Sequence, residues 1–179
     1  MRTDRLQQEY GVQLQWRVFP LHPETPPEGR ELSDLFAGRE AMIRDMQARL
    51  LQVAAAEGLP LTERSRTYNS RLAQELGKWA EEQGRGDQYR QAVYRAYFVD
   101  GVNIALVEEL VPIAAAAGLP PDEARSVLSE RSFAAAVDTD WQRAMDLRIT
   151  AVPTHLCGGK RLTGFAAYDD FVRLIGENR

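Results

Sequence analysis

The residues of this chain that could carry covalent chemistry gather towards its C-terminal end. The single cysteine, Cys157, stands four positions beyond Pro153 and directly before Gly158-Gly159, with His155 between them. A cysteine becomes a nucleophile as its thiolate, which needs a helix N-terminus or a basic neighbour to lower the thiol pKa. The sequence around Cys157 offers neither. In an apolar run a cysteine reads as a small buried hydrophobe. One cysteine excludes an internal disulfide and any cysteine-based metal cluster within the chain. With two histidines, His22 and His155, a zinc site would need carboxylates at spacings the sequence lacks. No metal site is therefore assigned. His22, between prolines, reads as a surface loop residue, and His155 as a strand-edge histidine able to titrate. Asp138 with Asp140, and Asp169 with Asp170, suggest an acid/base pair at first sight. Each pair falls at a helix surface or start, where solvation accounts for the charges, so no catalytic residue is assigned. Pro153 remains, at the mouth of an apolar β run, where a proline marks a first strand residue or a tight turn of the kind that holds cis prolines.

The elements that position these residues follow from periodicity. Arg5 to Tyr10 read as the tail of a helix closed by Gly11. Val12, Leu14, Trp16 and Val18 alternate with polar residues, which predicts a strand with one buried face. Trp16 and Trp79 are expected in the core. Pro20, Pro23, Pro26 and Pro27 make a stiff extended connection. From Leu32 to Leu147 no strand is predicted. Helical spacing recurs through Met42, Ile43, Met46, Leu50 and Ala54 until Gly58, then through Leu72, Leu76, Trp79 and Ala80 with Asn69 or Ser70 as cap and Gly84 or Gly86 as stop, and then after Asp87. Further helices lead to Gly118 with Pro112 in a first turn, follow Pro120-Pro121-Asp122, and run from Ser132 to Leu147. Leu156 and Cys157 continue a buried strand, Gly158-Gly159 turns it, Arg161 to Thr163 return, and Tyr168 to Ile175 form a closing helix.

Length and charge narrow the class further. The 179 residues fit one domain with its own core, and a net charge of −4 with dispersed basic residues argues against a nucleic-acid partner. No apolar run reaches membrane-span length and Met1 to Leu6 have no hydrophobic leader core, so a cytoplasmic protein is expected.

Val152-Pro153-Thr154 leading into a strand, a Gly-Gly turn, a strand and a closing helix resembles the C-terminal half of a thioredoxin fold. Together with Trp16 to Leu21, Pro26-Pro27-Glu28-Gly29, Tyr68 to Ala73, Ala96-Tyr97-Phe98 and Ala117-Gly118-Leu119, the chain is similar over most of its length to the DsbA family. The likeness is to the FrnE-like branch, shared with 2-hydroxychromene-2-carboxylate isomerases and kappa-class glutathione transferases. The resemblance implies an α/β thioredoxin-like fold with a large all-helical insertion, residues 1–27 and 148–179 forming the discontinuous α/β part and 28–147 the insertion. It implies a cis Pro153 in a loop, Ala151 to Pro153, that binds the thiol substrate, with Asn69 at a position near the glutathione site of the isomerase branch. The family's Cys-x-x-Cys, or the serine of the isomerases and transferases, opens the first helix after the first strand. Here that strand and motif are missing, which implies a shortened polypeptide. The expected activity is thiol–disulfide exchange. A glutathione-dependent isomerase or transferase is one alternative, and a catalytically inactive binding or chaperone-like module is another. The partners implied are a thiol- or disulfide-bearing protein or a glutathione conjugate, with no resident cofactor and glutathione as a candidate substrate. An uncovered sheet edge would favour a homodimer.

Overall fold

The computed structural model of the protein describes residues 2–176. In chain order these form α1 (Arg2–Tyr10), β1 (Arg30–Glu31), α2 (Leu32–Leu35), α3 (Glu40–Ala56), β2 (Arg66–Thr67), α4 (Arg71–Glu82), α5 (Gly86–Phe98), α6 (Val107–Ala116), α7 (Pro121–Glu130), α8 (Ala134–Asp146), β3 (Thr154–Cys157), β4 (Lys160–Thr163) and α9 (Tyr168–Gly176). They make two compact units, residues 20–138 and residues 1–19 with 139–179, which divide the chain at 19/20 and 138/139, while the resemblance implies bounds at 27/28 and 147/148.

The unit of residues 20–138 is built on α4 to α7. Apolar residues at helical spacing in α4 place Leu76 and Ala80 wholly out of solvent, against Leu110 and Ala114 of α6 and Ala124 of α7, all at 0% exposure. Trp79 joins this core as expected, and Tyr89 lies in it with its hydroxyl donating to the Ala73 carbonyl at 3.1 Å. Helix ends fall at the predicted glycines. Gly58 and Gly118 adopt positive φ, and the next residue returns a bond to the helix, Leu59 N–H to Ala54 O and Leu119 N–H to Ala114 O. Two expectations fail in this unit. A short antiparallel bridge pairs Arg30 with Thr67 and Glu31 with Arg66, and its second strand, Arg66–Thr67, falls inside the span from Leu32 to Leu147 predicted to lack strands. It forms where Gly29, at φ +80, lets the backbone pass within reach of Tyr68, a position at which a Cβ would lie 2.5 Å from the ring. Pro112 sits well inside α6 and not in its first turn. The Met42, Met46 and Leu50 stripe of α3 faces outward, and only Ala54 of the predicted apolar set is buried.

In the other unit, β3 and β4 form an antiparallel hairpin with Thr154 opposite Thr163, His155 opposite Leu162, Leu156 opposite Arg161 and Cys157 opposite Lys160. Its inner face meets α9 and α1, where Leu6, Ala166 and Phe171 are buried beside Leu162, Val172 and Ile175. The strand predicted over Val12 to Val18 is not formed. Its alternation survives as half-buried Val12 and Leu14 between exposed Gln13 and Gln15. Among the described residues no backbone ladder pairs with it, and a strand needs such a partner for its N–H and C=O groups. Trp16 is accordingly 44% exposed and does not belong to the core. The segment is anchored instead by Asp140 of α8, whose carboxylate accepts the Val18 N–H and Arg17 Nη1, each at 3.0 Å.

Candidate functional site

The loop that carries Ala151 to Pro153 hangs between the end of α8 and the start of β3, and both ends are fixed. Helix α8 stops with Arg148 in the left-handed conformation, Arg148 N–H bonding to Met145 O and Ile149 N–H to Ala144 O. The guanidinium of Arg161 on β4 donates to the carbonyls of Leu147 and Arg148, a cation set where a helix C-terminus favours one. At the other end Gly164 N–H donates to Pro153 O at 2.8 Å, and the Thr154 hydroxyl donates to Ala151 O at 2.7 Å. The Val152–Pro153 peptide is cis.

What this leaves free is the peptide of Val152. The side chain is 44% exposed, and among the described residues no hydrogen bond engages its N–H or C=O. Bonded and non-bonded pairs alternate along an antiparallel ladder. With Pro153 bonded to Gly164, Thr154 and Leu156 turn their backbone groups to the opposite edge of β3, as Val152 does. No described residue pairs with that edge. Leu156 is 42% exposed, so the strand expected to be buried is half-open. The arrangement can accept an extended peptide by main-chain pairing, starting at Val152.

The other candidates have structural work. Asn69 lies in the helical unit, where its Nδ2 donates to Pro23 O and Thr25 O and its Oδ1 accepts Arg71 N–H, so it ties the proline-rich loop to the start of α4. Ala151, Val152 and Pro153 come together by sequence, while Asn69 belongs to the other unit. Cys157 is partly exposed, not buried, and lies beyond the loop on β3. The His155 ring stands edge-on to Phe171 at 4.7 Å. Its Nδ1 is buried without a hydrogen bond. Burial pushes its pKa below the usual histidine value, against a smaller opposing effect from the Leu162 backbone. His22 sits at positive φ beside Phe36, with Glu24 3.7 Å from Nδ1. The aspartates divide. Asp138 pairs with Arg71 at 2.7 Å, and Asp170 accepts the Ala167 N–H at the start of α9. Asp140 is 2% exposed, which corrects the expectation that solvent accounts for its charge.

One cluster escaped the sequence reading. Glu75 of α4 is wholly buried and receives Arg131 Nε at 2.7 Å and Nη2 at 2.6 Å, and Arg71 Nε at 2.5 Å. Burial would raise its pKa, but the bonds from Arg131 and Arg71 outweigh that and hold the carboxyl below the usual range. Arg71 with Glu75 has the i,i+4 spacing of an ordinary surface pair, and Arg131 is 56 residues away, so no sequence signal marks the site as buried. Among the described residues no group of three or more metal-ligating side chains converges.

A family model described as DSBA-like thioredoxin domain matches residues 1–176. YwbO of Bacillus subtilis strain 168, itself uncharacterised, is 25% identical over 94% of this chain and 83% of its own length. The crystal structure of the probable DsbA oxidoreductase SCO1869 from Streptomyces coelicolor superposes with a TM-score of 0.88 at 24% identity, covering 98% of this chain and 81% of that one. A 2-hydroxychromene-2-carboxylate isomerase superposes with a TM-score of 0.72 at 20% identity, over 97% and 83% of the two chains.

Proposed function

We propose, from the premise that the chain belongs to the DsbA-like thioredoxin family, that it serves thiol–disulfide exchange of the FrnE type, with the Ala151–Pro153 loop as the place where the substrate strand docks. The observation that carries this reading is the unengaged, exposed peptide of Val152 at the head of an unpaired β edge. Main-chain pairing there would hold a disulfide-bearing segment in extended form without selecting its sequence, and the cis Val152–Pro153 loop fits that role.

The exchange itself needs two thiols. A thiolate attacks one sulfur of the substrate disulfide, the S–S bond breaks, and the departing sulfur takes a proton. A second thiol then attacks the mixed disulfide, releasing the reduced substrate and leaving the attacking pair oxidised. Cys157 is the single cysteine of the 179 residues and, lying beyond the loop on β3, does not supply this pair, so the proposal draws both thiols from residues outside this sequence. The partners proposed are disulfide- or thiol-bearing proteins and glutathione conjugates. A cytoplasmic setting is part of the proposal. Among the described residues no helix is long and apolar enough to cross a membrane.

The test has two readings on the natural protein. Intact mass and peptide mapping give its thiol count, and amide shifts are followed during titration with a cystine-bridged peptide. The proposal expects a Cys-x-x-Cys in the isolated protein and shifts centred on Val152. A serine at that place would transfer the reading to glutathione-dependent isomerisation. A protein with neither, and no shift at Val152, would make it a binding module without exchange activity.

A further inference from the structure

The helical unit holds a groove of about 550 Å³ between α2, α3 and residues 63–65, in the size range of small-ligand sites. Its lining is divided by depth. Leu32, Phe36 and Ile43 are half-buried and give an apolar wall, whereas Glu40, Arg44 and Glu63 stand exposed at the rim. Two charged side chains reach the half-buried zone, Glu31 and Arg64. Glu31 is satisfied by Arg66 at 2.7 Å. Arg64 has no ion pair or hydrogen bond from its guanidinium among the described residues, and its Nη1 is a buried donor without an acceptor.

That guanidinium is held in place. It lies over the Tyr97 ring at 4.5 Å and the Phe98 ring at 4.8 Å, and the Arg64 carbonyl accepts Gln47 Nε2 at 2.8 Å. A planar cation fixed on aromatic faces and without an ion-pair partner is pre-organised for a planar anion. The rim carboxylate Glu40 already takes the Gly38 N–H, and charges exposed at the rim are screened by solvent and salt.

We propose that this groove binds an organic carboxylate with an apolar body, the carboxylate on Arg64 and the body against Leu32, Phe36 and Ile43. The same chemistry is offered by a free small acid and by the C-terminal residue of a peptide. This site is independent of the thiol-exchange reading, because it lies in the helical unit and uses no residue of the Ala151–Pro153 loop.

The test titrates the full chain with 3-phenylpropanoate and with its uncharged amide, following amide shifts. The expected result is saturable shifts at residues 32–47 and 63–65, with the acid binding at least about tenfold more tightly than the amide and Arg64→Gln removing that difference. If Arg64→Gln does not fold, Ile43→Asp puts a like charge on the wall and should weaken the acid more than the amide. Acetyl-Ala-Ala-Phe separates the sources: tighter binding than 3-phenylpropanoate identifies a chain end, weaker binding a free acid. Equal affinity for acid and amide, or shifts confined to other residues, overturns the proposal.

Discussion

Two buried side chains show how differently polar groups fare in this interior. Thr25 is 2% exposed, and its hydroxyl has no hydrogen bond, while its backbone is fixed by His22 and by Asn69. Valine has the same shape and branching without the stranded group. Thr25→Val should therefore stabilise the protein by about 1 kcal/mol, read as a higher urea midpoint at unchanged slope. Glu75 is the opposite case, since every bond it needs is made. Its pKa lies below the unfolded value, so the unfolded chain binds more protons as the pH falls. Its contribution is present above the ordinary carboxylate pKa and is lost as the pH drops through the folded value. Glu75→Gln keeps the shape and removes the charge. It should cost about 2 kcal/mol at pH 7, and the gap to the parent should close progressively at pH values below about 4.5 in the same urea titration.

At the scale of elements, the hairpin and α9 depend on a neutral His155. Burial lowers its pKa, so folding favours the uncharged ring. The stability it permits is complete above the unfolded pKa of about 6.5 and declines as the pH falls below it. His155→Phe keeps the edge contact with Phe171 and cannot titrate. The variant should lose the parent's decline below about pH 6.5 in thermal melts followed by hairpin amide signals. The hairpin itself was legible because Gly-Gly turns and flanking apolar residues depend on local chemistry. The same holds for the helix stops at Gly58, Gly84 and Gly118, all at positive φ. Pro153 and its loop were legible for that reason too. What failed depends on neighbours distant in sequence. Periodicity makes α3 a helix, but it does not say whether Met42, Met46 and Leu50 meet anything, and they are 47%, 59% and 51% exposed. Val12 to Val18 have a strand's alternation and lack a ladder partner among the described residues. Asp140 reads as a surface charge until Val18 N–H and Arg17 are brought to it.

Across the whole molecule the two units are unequally supported. In residues 20–138 a single cluster of buried apolar side chains runs from Ala73 to Leu128 through four helices, with Leu76, Ala80, Leu110, Ala114 and Ala124 fully enclosed. In residues 1–19 with 139–179 the described buried cluster is Leu6, Ala166 and Phe171, backed by half-buried neighbours. Each fully buried large apolar side chain contributes roughly 1.5–3 kcal/mol, so the helical unit holds much the greater share of burial energy. Its elements also connect to near neighbours in sequence, whereas the smaller unit must bring Leu6 to Phe171 across most of the chain, at a higher loop-closure cost. The two should not open together. Hydrogen exchange under native conditions should show amides of α4 and α6 exchanging only through the largest opening, and amides of β3, β4 and α9 exchanging through a smaller one with a shallower denaturant dependence. Added cystine-bridged peptide should slow exchange around Val152 and the start of β3 without altering α4, because main-chain pairing at Val152 protects the weaker unit alone. Equal protection in both units would mean that they unfold as one, and that the small cluster around Phe171 carries more stability than its burial accounts for.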